Sequence, residues 1–168
     1  MQDEKELPAH AISLTVHNRP GVLVRVALVF SRRGYNIDSL VVSPMLNLNF
    51  SRMNIVARGK TENLGQIIGQ LEKLVDVVVA KDHTGEDIVV KELALIKLLC
   101  NAEERAEVLQ IVQHFKAITV DLTETSITIQ VTGNSDKIDA MITLCEKYHV
   151  VELIRTGKII ISRGPEPT

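Results

Sequence analysis

Twice along this chain of 168 residues, apolar side chains spaced for strands and for helices follow one another in the same order. A strand buried on one side alternates apolar and polar residues, whereas a helix laid on a sheet shows apolar residues at i, i+3, i+4 and i+7. Helical spacing occurs at Leu23, Val26, Ala27 and Phe30 and at Leu64, Ile67, Ile68 and Leu71. It recurs at Val108, Ile111, Val112 and Phe115 and at Ile138, Met141, Ile142 and Cys145. Between these lie alternating runs, such as Ile12, Leu14 and Val16 with Ser13, Thr15 and His17, or Ile127, Ile129 and Val131 with Thr128 and Gln130. The first half therefore predicts β (11–17), α (20–33), β (36–44), β (51–59), α (62–74) and β (75–82). The second predicts β (89–100), α (102–115), β (117–122), β (126–132), α (135–148) and β (150–162).

The order βαββαβ places two helices on one face of a four-stranded antiparallel sheet. The expected fold class is α+β, with two tandem ferredoxin-like βαββαβ domains. A flexible arm is expected over 1–9, a first domain over 10–82 and a linker over 83–88. A second domain is expected over 89–164 and a short tail over 165–168. Asn101 followed by Glu104 has the spacing of a capping box. Asn18, Thr61, and Asn134 or Ser135 are candidate caps for the other helices. Gly34 supplies a left-handed residue to end the first helix.

Composition narrows the function. Hydrophobic residues make up 45% and charged residues 24%, enough for packed cores, while the net charge of −2 offers no basic face for nucleic acid. Aromatic residues at 3%, with no Trp, leave little with which to stack on bases. No apolar run reaches the ~20 residues that span a bilayer, and the acidic, polar stretch Met1 to Pro8 is unlike a secretory leader. Cys100 and Cys145 read as buried thiols of a reducing compartment, so a cytoplasmic protein is expected. His10, His17, His83, His114 and His149 share no metal-binding or catalytic spacing, and no phosphate-loop, dinucleotide or nucleophile-elbow signature occurs. Glu103, Glu104, Asp136 and Asp139 are read as dipole-stabilising acids at helix starts. No catalytic residue, metal ligand or bound cofactor is expected in this chain.

Two features point to a binding site. In Asn18-Arg19-Pro20-Gly21-Val22-Leu23, Asn18 reads as a cap and Pro20 as a first-turn residue. Gly21 allows close approach to the backbone, and the free amides of Gly21 and Val22 would form a small anion site suited to a carboxylate. Taken alone, the same loop is also what an ordinary capped turn looks like. The second feature is Asn36-Ile37-Asp38-Ser39-Leu40-Val41-Val42-Ser43, which the topology places at a sheet edge. From Ser39 to Ser43 it carries no charge to discourage pairing. Such an edge is expected to join its own copy across a two-fold axis, giving an eight-stranded sheet. Asn36 would then face the neighbour's 18–21 loop.

The segments N-x-P-G-V-L-x-R-V-A (18–27), F-S-R-R-G-Y-N-I-D-S-L (30–40) and S-R-M-x-I-V (51–56) resemble the small regulatory subunit of acetolactate (acetohydroxyacid) synthase. K-E-L-A-L-I-K-L (91–98), I-T-I-Q-V-T-G-N-S-D-K-I-D-A (127–140), R-T-G-K (155–158) and S-R-G (162–164) extend the resemblance from about His10 to Gly164. The resemblance implies an N-terminal ACT domain, an amino-acid-sensing module that dimerises edge to edge and binds valine between subunits. By position, Asn18 would meet the polar end of the ligand, and the Gly21 and Val22 amides would hold its carboxylate. Leu23 would border the pocket, with Asn36 and Ile37 arriving from the other chain. The implied partner is a large catalytic subunit carrying thiamine diphosphate, a divalent metal (Mg) and FAD. The small subunit would raise its activity and convey feedback inhibition by branched-chain amino acids.

One departure from the family is the loop Met45-Leu46-Asn47-Leu48-Asn49-Phe50, which is apolar where relatives carry acidic and proline residues. Local packing and contact with the catalytic subunit both account for it. Two other readings compete with the regulatory one. A stand-alone ACT-type sensor controlling another enzyme or transcription would call for a DNA-binding helix-turn-helix or basic arm in the second case. A small enzyme acting on acyl phosphates would recruit Arg19 or Arg25.

Overall fold

The computed structural model describes residues 7–168, so residues 1–6 of the expected flexible arm lie outside the described residues. The first strand already starts at Ala9, which pairs with Arg58. The elements are β1 (Ala9–His17), α1 (Val22–Arg32), β2 (Asn36–Pro44), β3 (Phe50–Arg58), α2 (Leu64–Leu71) and β4 (Val77–Asp82), followed by β5 (Ile88–Leu99) and α3 (Ala102–His114). Then come β6 (Ile118–Leu122), β7 (Ser126–Gly133), α4 (Ser135–Cys145), β8 (His149–Arg155) and β9 (Ile159–Ser162). The first sheet runs β2-β3-β1-β4 and the second repeats that order as β6-β7-β5-β8. The architecture is α+β, built from two ferredoxin-like units.

In the first unit, Ile12, Leu14 and Val16 of β1 and Met53, Ile55 and Ala57 of β3 meet α1 and α2 in one core. The face of α1 that reaches this core is Val22, Val26, Val29 and Phe30, one step round the helix from the expected stripe. Leu23 is consequently 43% exposed, together with Val24 at 62% and Leu28 at 44%. The shift follows from where α1 begins. Its first helical residue is Val22, and an apolar residue there already points inward, so 22, 26, 29 and 30 share the buried arc. In the second unit, Ala94, Ile96, Leu98, Ile127, Ile129 and Val131 pack under Val108, Val112, Ile138, Met141 and Cys145. Asn101 closes the expected capping box with Glu104, and Asn134 accepts from the Lys137 amide. Thr61 does not cap α2. It opens a single 3-10 turn (Thr61–Asn63) that leads into the helix.

The described chain divides into two compact units, 7–89 with 158–168, and 90–157. The second domain expected over 89–164 thus gives up its last residues to the first unit. The strand expected over 150–162 is interrupted at 156–158, where Gly157 takes φ 90°, outside the strand region. Residues 158–168 then run over the face of the first sheet that is turned away from its helices. Arg52 donates to the Thr168 carbonyl (2.6 Å), Lys81 to the Pro167 carbonyl (2.9 Å) and the Lys158 amide to Ser39 Oγ (3.4 Å). That cover explains a departure from one-sided burial. Ser13, Asn54 and Val56, expected or placed on the outer face, are all buried.

Two histidines are also inside. His10 continues the inward series of β1, and its Nε2 lies 3.0 Å from the Gly59 carbonyl. His83, from the expected linker, has Nε2 2.8 Å from Ser13 Oγ and Nδ1 2.7 Å from Glu86 Oε2. Ser13 is 1% exposed, so this row staples the 83–86 turn to β1 rather than presenting a nucleophile. Neither histidine is a surface residue: both ring nitrogens of His83 have partners, whereas His10 is bonded through Nε2 and its buried Nδ1 has no partner among the described residues.

Both cysteines are buried and free. Burial pushes the Cys145 thiol up to about 11, because the thiolate loses its hydration there. At pH 8 a thiol-exchange colorimetric titration of native protein is expected to leave Cys145 unmodified, and the same reagent in denaturant to modify it. Rapid native reaction at Cys145, located by peptide mapping, would contradict this placement. Among the described residues no helix is long and apolar enough to cross a membrane.

Candidate functional site

β1 delivers the chain into the 18–21 loop, and the loop is tied down on both sides. The His17 amide donates to the Asp76 carbonyl (2.8 Å), and the Asn18 amide to the Asn49 carbonyl (2.8 Å). The Asn18 side chain donates to the Leu48 carbonyl (3.1 Å). Asn18 is therefore not the helix cap that the sequence predicts, and Pro20 lies just outside the helix rather than in its first turn. The cap position belongs to Gly21, which has φ 82° and ψ −7° and caps with no side chain. The Arg19 to Val22 turn is tight enough to need a left-handed residue, so glycine fits for a backbone reason. A Cβ there would also stand 3.1 Å from Arg25 Nη1.

Arg25 lies one helical turn above Gly21. Its Nε and Nη2 both reach Asp76 Oδ2, at 2.9 and 2.6 Å, and the Asp76 side chain is only 12% exposed. No acidic residue occupies the first turn of α1, so the positive end of the helix is not neutralised locally. The loop thus presents a glycine backbone, the start of a helix and a fixed guanidinium side by side, which suits a carboxylate. The sequence reading missed Arg25 and Asp76 as parts of this corner. The i+4 spacing of Arg25 from Gly21 is the only local sign of it, and Asp76 is distant in the chain.

The predicted site residues do not all meet within one unit. Asn18, Gly21, Val22 and Leu23 are together, with Gly21 exposed, Val22 buried and Leu23 on the open side of α1. Asn36 and Ile37 stand at the opposite end of the sheet, because Asn36 and Ala9 both pair with Arg58, whereas Pro44 and His17 lie at the Ser51–Phe50 end. Asn36 is exposed and Ile37 half-buried. They line an open groove of about 470 Å³ with Ala27, Ser31 and Gly34. Among the described residues β2 pairs only with β3 and forms the edge of the sheet. A bulge at Asp38 interrupts the start of β2, where Asp38 receives Arg58 Nε at 2.5 Å, leaving Ser39 to Pro44 in regular register.

Comparison with known proteins decides the family. Residues 91–164 match the family model described as small subunit of acetolactate synthase, and residues 12–79 match that of the AHAS small subunit-like ACT domain. The acetolactate synthase small subunit of Mycobacterium leprae is 39% identical, over 95% of this chain and 94% of its own length. This chain belongs to the acetolactate synthase small-subunit family. A probable acetolactate synthase small subunit of Archaeoglobus fulgidus is 42% identical, over 92% of this chain and 97% of its own. The crystal structure of the acetolactate synthase small subunit from Thermotoga maritima superposes with a TM-score of 0.86 at 34% identity, covering 95% of this chain and all of that one. For an acetolactate synthase small subunit, a large catalytic subunit is the partner that membership implies. The 18–23 loop and the β2 edge both fall inside the matched ACT domain.

Proposed function

We propose that this small subunit binds valine at the seam of a homodimer and passes that occupancy to the catalytic subunit as feedback inhibition, while its presence raises that subunit's activity. The single observation that supports this reading most is the separation of the two half-sites on one unit, with β2 between them at an open edge. Antiparallel pairing of β2 with its copy across a two-fold axis brings the Asn36 end of one chain toward the 18–23 end of the other, within a continuous eight-stranded sheet. The exposed Leu23, Val24 and Leu28 flank that edge and would be covered by the same union.

In this arrangement the Gly21 and Val22 amides and the Arg25 guanidinium receive the carboxylate of the amino acid, and Asn18 and the partner copy's edge receive its amine. Each charge-assisted hydrogen bond contributes about 1.5–3 kcal/mol, set against the ordering of ligand and loop. Inhibition requires that valine prefer one state of the assembly, and a coupling of about 1–3 kcal/mol suffices for feedback. Thiamine diphosphate, the divalent metal and FAD belong in this reading to the catalytic subunit, with this chain contributing position and control rather than chemistry. Light scattering is expected to give a dimer, and calorimetry of that dimer with L-valine to show saturable heat. A monomer, or no heat up to millimolar valine, would refute the seam site.

A further inference from the structure

The polarity that Asn18 offers a ligand is set by the hairpin beside it. Its backbone amide donates to the Asn49 carbonyl at 2.8 Å, and its side-chain Nδ2 to the Leu48 carbonyl at 3.1 Å. A primary amide can be turned over, exchanging its acceptor for its donors. Turned over here, Oδ1 would meet the Leu48 carbonyl, acceptor against acceptor, and the bond would be lost. The Leu48 carbonyl is itself held by the turn around it. The Asn49 amide donates to Asn47 Oδ1 at 3.1 Å, and the Phe50 amide to the Asn47 carbonyl at 3.0 Å. Among the described residues no donor reaches Asn18 Oδ1, and Asn18 is exposed. Asn18 therefore offers an acceptor. Arg25 has the opposite polarity. Asp76 takes its Nε and Nη2, while Nη1 stands 3.1 Å from where a Cβ on Gly21 would be. A guanidinium can only donate.

We infer that the site selects by chemical class, taking an α-amino acid and rejecting the 2-oxo acid of the same carbon skeleton. Asn18 Oδ1 is the specificity-determining group and the Leu48 carbonyl is what orients it, an inference that rests on the seam reading above. An amino acid brings an ammonium with three N–H donors for Oδ1 and a carboxylate for Arg25. A 2-oxo acid keeps the carboxylate but puts a carbonyl where the ammonium was. Two acceptors then meet, and Oδ1 is left unpaired once the seam closes over it. A 2-hydroxy acid falls between them, because its hydroxyl donates a neutral hydrogen bond, weaker than the charge-assisted one. Feedback through such a site answers to the product of an amination and not to the oxo acid that the amination consumes.

Calorimetry of the full-length dimer with three ligands of one skeleton tests this: L-valine, L-2-hydroxy-3-methylbutanoate and 3-methyl-2-oxobutanoate. The expected order of affinity is amine, hydroxyl, carbonyl, with the oxo acid about thirtyfold or more weaker than valine. Asn18→Ala is expected to weaken valine about tenfold or more and to narrow its lead over the oxo acid, at unchanged dimer mass. A merely structural role for Asn18 would weaken both ligands alike and keep the lead. An oxo acid within about threefold of valine on the unsubstituted dimer would overturn the inference. So would an Asn18→Ala dimer that keeps the full lead. No heat from any of the three on the unsubstituted dimer would remove the seam site and this inference with it, a result distinct from heat with valine and oxo acid alike.

Discussion

Arg155→Met is expected to lower the stability of the chain by about 3 kcal/mol, the lower end of what breaking a buried ion pair costs. The reason is the partner it abandons. Glu92 has a side chain only 3% exposed, and Arg155 clasps it with Nη2 to Oε1 at 2.5 Å and Nε to Oε2 at 3.2 Å. The third arm of the guanidinium, Nη1, reaches Asp139 Oδ1 at 2.6 Å on α4. Hydrogen bonding to Glu92, and then to Asp139, holds Arg155 above the ordinary guanidinium value despite partial burial. Methionine fills the volume and supplies none of these donors, so Glu92 is left either charged in an apolar site or protonated at a cost. The lower end of the range applies because a third of Arg155 remains in water, where solvent screens the pair. A fall in melting temperature on the order of 10 °C is the expected readout. Adding Glu92→Met should restore much of the loss, as removing both members of a buried pair does. A single substitution that melts with the unsubstituted protein would show the pair to be dispensable.

The same residues mark where the sequence is and is not informative. Element order was legible as far as β8, because each strand and helix up to there carries its own periodicity and needs no distant partner to declare it, whereas β9 was read as a continuation of β8. Asn101 with Glu104 was legible for the same reason, as a local pair three residues apart. What depends on distant chain was not. Asp139 reads as a dipole-stabilising acid from its place near the start of α4, and only the fold brings Arg155 to it across 16 positions. The 158–168 segment continues the apolar pattern of β8, and nothing local says that it returns to the first sheet. Ser13 and His83 look like a polar strand position and a linker residue until the outer face of that sheet is seen to be covered. The candidate site divides the same way. Its glycine and its two asparagines were legible from loop and edge, whereas the cap at Gly21, the tether from Asn18 to Leu48 and the Arg25–Asp76 clasp required three segments to converge.

Asn36→His is expected to weaken valine binding roughly ten- to hundredfold, the loss of one charge-assisted hydrogen bond of about 1.5–3 kcal/mol. The position allows a clean reading. Asn36 is exposed, and its recorded bond, Nδ2 to Asp38 Oδ1 at 3.1 Å, is a surface contact within two residues. Its backbone pairs with Arg58 at the start of β2, before the bulge, so the 39–43 ladder on which two copies would join is left intact. Imidazole keeps a hydrogen-bonding group but is bulkier and places it elsewhere, so the groove beside Ser31 and Gly34 narrows while no core side chain loses a contact. Unchanged melting temperature and unchanged dimer mass are therefore part of the prediction, and calorimetry with L-valine is the measurement. Two results would remove Asn36 from the site. One is valine affinity equal to that of the unsubstituted dimer. The other is a loss that follows dissociation of the dimer, because the seam rather than the side chain would then carry the effect.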